Sequence, residues 1–259
     1  MSVVQDPARE RQRANRGGFP RPWSRACPLL REPLPLIGYV TGVLASYLAI
    51  TGWYAASTPV TDGDVTLFAA LVSCGGACVE ASGRLGQATG AWRDLLSAWW
   101  LPGALLLPPL YALAAPAAVG LLSYIRVPPG STGRRVFSAA ALGLSGALAS
   151  ALFHWLTPAP PAGLTGNWLA YPGPDTWLLR PQQAAVALAS AVAFGVLNAA
   201  LVAVAAWLAD PDARLAGLLA DRERLLLDLT ETCVGLLVTI ACALSTLLLA
   251  VALPPVLLL

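Results

Sequence analysis

The sequence predicts an all-α, polytopic integral membrane bundle of about five full spans, with a helical hairpin split by Pro-Pro and an interfacial amphipathic helix. Three observations predict it. Hydrophobic residues fill 57% of the 259 positions and charged residues only 12%, about half the charged share of a soluble domain. Mean hydropathy is +0.65, more apolar character than a soluble core of this length absorbs. The apolar residues also fall into runs of about twenty, the length at which a helix crosses a bilayer core, and charged segments separate those runs.

Two regions follow, a tail over 1–34 and a multi-pass domain over 35–259. The tail is polar, broken by proline and glycine, and carries seven of the sixteen basic residues, all of them arginine. Such a composition buries too little apolar surface to fold, so a disordered tail is expected. Its charge places it in the cytoplasm, within reach of anionic lipid headgroups. A nucleic-acid-binding arm is the rival reading, but no aromatic-basic module accompanies it.

The first span is placed at 36–56. An Arg-rich head and the sequence Tyr54-Ala55-Ala56-Ser57 imitate a signal peptide, but the run is longer than a signal core. The loop that follows holds Asp62 and Asp64 and no arginine, as an outer loop should. The second span, 65–82, returns inward. Its Gly75, Gly76 and Ala77 leave room for a neighbouring helix to come close. Arg84 and Arg93 mark an inner loop.

The next stretch is apolar for about thirty residues, longer than one span requires, and Pro108-Pro109 stands near its middle. Each proline removes a backbone donor and drives the preceding residue out of the helical region. Arg93 flanks one end, and Arg126, Arg134 and Arg135 flank the other. Both ends therefore belong on the cytoplasmic face. The expectation is a hairpin over 95–125 that enters the bilayer, turns at the doublet and returns.

A span over 137–156 then leads outward, with small residues Ser138, Gly143, Gly146 and Ser150 suited to close packing. The Pro-, Gly- and Trp-rich segment 157–181 has Arg180 as its single base and is read as an outer loop. The span 183–209 returns. Asp210-Pro211 supplies an N-cap and a first helical residue. They open an amphipathic helix over 211–228, with Leu215, Leu218, Leu225 and Leu229 recurring at helical spacing against Asp212, Arg214, Asp221 and Glu223. The last span, 230–253, ends at Pro254-Pro255.

Tryptophan prefers the membrane-water interfaces. Trp53, Trp155, Trp168 and Trp177 fall at outer ends or in the outer loop of this map, and Trp92, Trp99, Trp100 and Trp207 at or near inner ends. Residues 36–125 and 137–259 follow the same order of elements, as a parallel repeat would. Chance likeness between Ala- and Leu-rich segments is the competing explanation.

Ionisable or amide groups within spans are the natural functional candidates. His154, the only histidine, lies near the outer end of its span beside Trp155. It could read pH or a ligand, or serve as a satisfied interfacial histidine. Glu80 lies near the inner end of the second span. Asn198 sits mid-span, where an amide should face another helix and bond to it, or contact a ligand. With Pro108 and Pro109 at the hairpin tip, these residues make up the candidate set for ligand contact or helix packing.

Catalytic residues, cofactor sites and metal ligands are not expected. The chain lacks a serine elbow, a metal-ligand cluster and paired intramembrane aspartates, and its GSTGRR segment lacks the lysine and spacing of a phosphate loop. Four of the five cysteines lie in apolar segments, where cysteine acts as a small hydrophobe. Cys74 and Cys78 are one helical turn apart with no histidine nearby and Glu80 as the one carboxylate close in sequence, so packing is preferred to a metal or redox pair.

Four stretches carry a family resemblance: WWLPGALLLPPLYALAAP, RRVFSAAALGLSG, FGVLNAALVA and LLDLTETCVGLLVTIACALSTLLLAVALPPVLLL. Together they resemble the N-terminal, multi-pass, sensor-like membrane region of actinobacterial GGDEF proteins of the diguanylate-cyclase type, over most of residues 30–259. In that family the closing Pro-Pro run leads back to a cytoplasmic domain that makes cyclic di-GMP. No GGDEF sequence occurs in these 259 residues, so cyclase activity is not carried over and the chain is not expected to be an enzyme. The resemblance implies a sensory or regulatory module of the cell membrane, its N-terminus cytoplasmic, relaying a membrane or ligand signal. Its partners would be the lipid bilayer, a cytoplasmic output domain or protein, and a second copy in a homodimer, with no nucleic acid. The alternative is a small transporter or substrate-capture subunit whose site is lined by Asn198 and the hairpin tip.

Overall fold

The computed structural model describes residues 33–84, 92–124, 132–157, 181–210 and 222–244. Among these, all regular secondary structure is helical. The seven helices are α1 Leu34–Ser57, α2 Asp62–Arg84, α3 Trp92–Leu106, α4 Pro109–Tyr124, α5 Thr132–Leu156, α6 Pro181–Ala209 and α7 Arg222–Leu244. The all-α expectation is met.

Local chemistry sets the boundaries. Pro33 caps α1, and its carbonyl accepts the Leu36 and Ile37 amides. At the far end the Thr58 amide bonds to Tyr54 before Pro59, which cannot continue the helix. Thr61 opens α2, accepting the Asp64 amide on its hydroxyl at 3.2 Å. Asp62 and Asp64 in that first turn suit the positive end of the helix dipole. Pro109 and Pro181 each stand at a first helical position, where the missing N–H is not needed.

The thirty-residue apolar stretch is two helices, with the break one residue earlier than the doublet suggests. Leu107 and Pro108 are non-helical, and Pro109 begins α4. The indole Nε1 of Trp100 donates to the Ala112 carbonyl at 3.4 Å. A straight helix would set those residues roughly 18 Å apart along its axis, so α3 and α4 fold back on one another.

The hairpin lies at the centre of the packing. One cluster joins Leu67 and Leu71 of α2, Trp99 of α3, Leu107, Tyr111 of α4, and Val238 and Cys242 of α7. A second joins Leu101 and Leu105 of α3 to Phe153 of α5 and Ala187 and Ala191 of α6, with Leu236 and Ile240 of α7 against them. The third sets Val43 of α1 on Phe137, Ala140 and Ala141 of α5. The most extensive helix pairs are α3 with α7, α4 with α5, and α5 with α6. Helix α1 lies at the periphery, with Val43 its single buried residue, and Leu188, Val192 and Val196 of α6 face outward.

Among the described residues three stretches are long and apolar enough to cross a membrane: Leu34–Ser57, Gly133–Leu156 and Pro181–Ala209. The sequence suggested about five. Helix α2 is diluted by Asp62, Asp64, Glu80 and Arg84, and of the expected span 230–253 only the part to Leu244 lies within the described residues, with Leu229–Cys242 as its apolar part. Further adjustments concern boundaries. Helix α3 begins at Trp92 and α5 at Thr132, so Arg134 and Arg135 are helical rather than in a loop, since arginine does not interrupt a helix. Helix α7 runs from Arg222 to Leu244 without a break at 229–230. The described part of the amphipathic segment is thus the first part of the last helix, because Leu229-Thr230-Glu231 contains no helix breaker. Residues 1–32, 211–221 and 245–253, with the expectations placed on them, lie outside the described residues. Trp99 and Trp100 are 4% and 6% exposed, enclosed by neighbouring helices. Trp53 and Trp155 are 73% and 82% exposed.

Candidate functional site

Helix interruptions leave carbonyls without their usual donors. In a continuous helix the Leu107 carbonyl would accept the Tyr111 amide. Here that amide bonds to Pro108 at 2.9 Å, and the Leu107 oxygen turns to α5. It receives Ser150 Oγ at 3.3 Å and His154 Nε2 at 3.0 Å. Nε2 therefore carries a proton, because a carbonyl can only accept. Ser150 and His154 are four residues apart, so a helix presents both on one face. The histidine stands edge-on to Phe153, with ring centroids 5.6 Å apart.

A second interruption lies about two helical turns further along. Pro116, inside α4, has no N–H to give Ala112, and the Trp100 indole takes that place. The neighbouring Leu113 carbonyl accepts the Tyr47 hydroxyl of α1 at 2.8 Å. A companion bond runs from Tyr39, two turns earlier on α1, to the Leu201 carbonyl of α6 at 3.0 Å. Tyr39 also meets Phe137 with ring centroids 6.0 Å apart.

Helix α5 can reach the hairpin backbone because its facing positions are small. A Cβ on Gly146 would lie 3.4 Å from the Ala112 Cβ. On Gly143 it would lie 2.6 Å from Tyr47 Cε2 and 3.4 Å from Pro116 Cγ. Gly143, Gly146, Ser150 and His154 follow at intervals of three, four and four, one stripe down the helix. Its small end admits the backbone, and its polar end satisfies the carbonyl freed by the break.

The predicted site residues do not converge. His154 bonds to the Leu107 carbonyl, next in sequence to Pro108 and Pro109 at the hairpin tip. Asn198 is half-buried on α6 and makes no side-chain hydrogen bond among the described residues. Glu80 lies in α2 where only the backbone is described. Sequence reading missed the donor roles of Trp100, Tyr47 and Ser150. A signal existed for one of them, since a proline at 116 predicts an unpaired carbonyl at 112, and buried indoles and phenols seek partners. Tyr111 Oη, Gln183 Oε1 and Ser190 Oγ are buried without a hydrogen-bond partner. Among the described residues no three His, Cys, Asp or Glu side chains gather as a metal-binding group.

Fold and site together define a helical bundle built around a proline-broken hairpin whose freed carbonyls are filled by side chains of neighbouring helices. No family model, no curated protein and no solved structure matches the chain.

Proposed function

We propose that this chain is a multi-pass sensory or regulatory module of the cell membrane, with its N-terminus in the cytoplasm, and that it is not an enzyme. The three long apolar helices serve as spans, α2 and α7 complete the bundle, and the hairpin enters and leaves on the cytoplasmic side. A membrane or ligand signal shifts the hairpin between two packings, which requires different affinity for the two. The output is a cytoplasmic domain or protein, in cyclic di-GMP signalling by resemblance to the GGDEF-associated membrane regions.

One observation carries this reading. The first arm of the hairpin packs most extensively on α7, through Trp99 and Leu107 with Val238 and Cys242, and α7 continues unbroken into the charged residues Arg222, Glu223 and Arg224. A displacement of α3 would thus be handed to a helix that leaves the apolar region. The transporter reading draws on the broken helix, since unwound carbonyls often hold ions or substrates. Here Ser150, His154, Trp100 and Tyr47 already occupy the carbonyls nearest the breaks, which favours the regulatory reading.

The test is a fusion of the full chain to an active diguanylate cyclase domain in a cell without its own cyclic di-GMP synthesis. Substituting His154 with Ala, or deleting 222–228, should change cyclic di-GMP output at equal expression. Unchanged output from both would refute the relay. Cysteine labelling at positions 93 and 126 of a cysteine-free variant should occur from the same, cytoplasmic side, and labelling from opposite sides would refute the topology.

A further inference from the structure

Tyr111, in the first turn of α4, is 6% exposed, and its hydroxyl oxygen is enclosed without a hydrogen-bond partner. Its ring meets Phe68 of α2 with centroids 5.3 Å apart and planes tilted by 53°. Asp64 stands four residues before Phe68, one turn along the same face of α2. That face continues through Leu67, Leu71 and Cys74, which pack in the cluster shared with the hairpin and α7. Asp64 is accordingly half-buried, whereas Asp62 is exposed. The Asp64 amide is spent on the Thr61 hydroxyl, but its carboxylate accepts no hydrogen bond and joins no ion pair among the described residues. It lies close enough for its charge to act on the Tyr111 phenol. A donor without an acceptor thus stands near an acceptor without a donor.

Resting on the regulatory reading above, we propose that Asp64 and Tyr111 form a latch: in the second packing of the hairpin the Tyr111 hydroxyl donates to the Asp64 carboxylate and ties the second arm to α2. The described packing is the unlatched one. An enclosed hydroxyl without a partner is costly, and a bond to a carboxylate is stronger than one between neutral groups. Closing the latch relieves that cost and gains the stronger bond. Carbonyls inside α2 and α4 already accept helical amides, so they compete weakly for the phenol. The aromatic contact permits the movement, because ring pairs attract over centroid separations of about 4.5–7 Å. Helix α4 can therefore slide along α2 without losing Phe68. Tyr111 is also placed to pass the movement on. Its amide is bonded to Pro108 at the break, and its ring shares a cluster with Trp99, Leu107, Val238 and Cys242. The other side of the break is anchored to α5, where Ser150 and His154 hold the Leu107 carbonyl. Drawing the Tyr111 ring toward Asp64 thus disturbs the contacts between the hairpin and α7.

A fluorine label on the phenol tests this. Tyrosine with fluorine beside the hydroxyl is placed at position 111 alone, in the full chain in mild detergent, and its fluorine NMR spectrum is recorded cold, where the two packings exchange slowly. Two lines are expected, one for each packing. Asp64→Ala should lower the latched line about ten-fold, the population change that one charge-assisted hydrogen bond gives. Asp64→Asn keeps an uncharged acceptor and the shape of the first turn. It should lower the line less, and it is the second variant should Asp64→Ala fail to fold. Asp62→Ala, on the exposed side, should leave both lines unchanged. A single line in the parent chain, or a second line that survives both Asp64 variants at full intensity, would overturn the latch. A second line that Asp62→Ala weakens equally would reflect charge at the start of α2 in general and would overturn it too. The cyclase fusion separates the latch from the reading it rests on. Asp64→Ala and Tyr111→Phe should change output in the same direction, and the double variant no more than either single. Output that ignores these two but responds to His154→Ala and to deletion of 222–228 would overturn the latch and leave the relay standing. Two Asp64-dependent lines with output unmoved by all of these changes would keep the bond and refute the relay.

Discussion

His154 Nε2 lies 3.0 Å from the carbonyl oxygen of Leu107, across 47 residues of sequence. The sole histidine of the chain is thus bonded at the break between α3 and α4 in its longest apolar stretch. Ser150 shares the same oxygen, which makes the pair two donors for one acceptor.

That redundancy shapes the effect of substitution. Ser150→Ala or His154→Ala alone leaves one donor in place, so each should destabilise by less than about 1.5 kcal/mol, the worth of an ordinary hydrogen bond. The double variant leaves a carbonyl unsatisfied and should cost about 1–3 kcal/mol, more than the sum of the singles. Denaturant unfolding in mild detergent measures this. Additive losses would show that the two donors do not share one acceptor.

Gly143→Ala and Gly146→Ala should differ in sign or size. Alanine gains about 0.5–1 kcal/mol over glycine inside a helix. At 146 the new methyl meets ordinary or slightly tight contacts at 3.4 and 3.5 Å, so the net change should be small. At 143 it meets the Tyr47 ring at 2.6 Å, and overpacking of that kind costs about 1–3 kcal/mol. Adding Tyr47→Ala should relieve the clash, so the double variant should be less destabilised than the summed singles.

Hydroxyl deletions should separate bonded from unbonded groups. Tyr47→Phe removes the bond to Leu113 and should cost about 0.5–1.5 kcal/mol. Tyr111→Phe and Ser190→Ala remove buried oxygens that have no partner and should be neutral or stabilising. A loss at Tyr111 equal to that at Tyr47 would mean that its hydroxyl is satisfied in solution.

Pro116→Ala restores an amide that can bond to Ala112, in competition with the Trp100 indole. Trp100→Phe should therefore cost less in the Pro116→Ala background than in the parent. A double-mutant cycle on unfolding free energies reads the difference. Equal costs in both backgrounds would show that the indole does not act as the replacement donor.

Much of the hairpin could be read from the sequence. Pro108-Pro109 divides α3 from α4 because a missing N–H and the restriction on the preceding residue are local facts. The break fell one residue early because proline is welcome at the first helical position, so Pro109 starts α4 instead of belonging to the turn. His154 could be picked out as the one histidine in an apolar segment, but its partner could not, since a free carbonyl at Leu107 follows only once the Tyr111 amide has chosen Pro108. The enclosure of Trp100 could not be read either, because interfacial preference says nothing of which neighbouring helices surround a ring.

The sequence by itself determined that the chain is helical, where its apolar segments run, and that its longest one must bend. These properties depend on residues within a few positions of one another, through backbone donors, ring constraints and apolar run length. The tertiary structure alone decided which donor fills which carbonyl, that α3 rests on α7, and that Gly143 faces a tyrosine. Those outcomes join residues 12 to 162 positions apart, and composition and periodicity place no constraint on such pairings until the helices have packed.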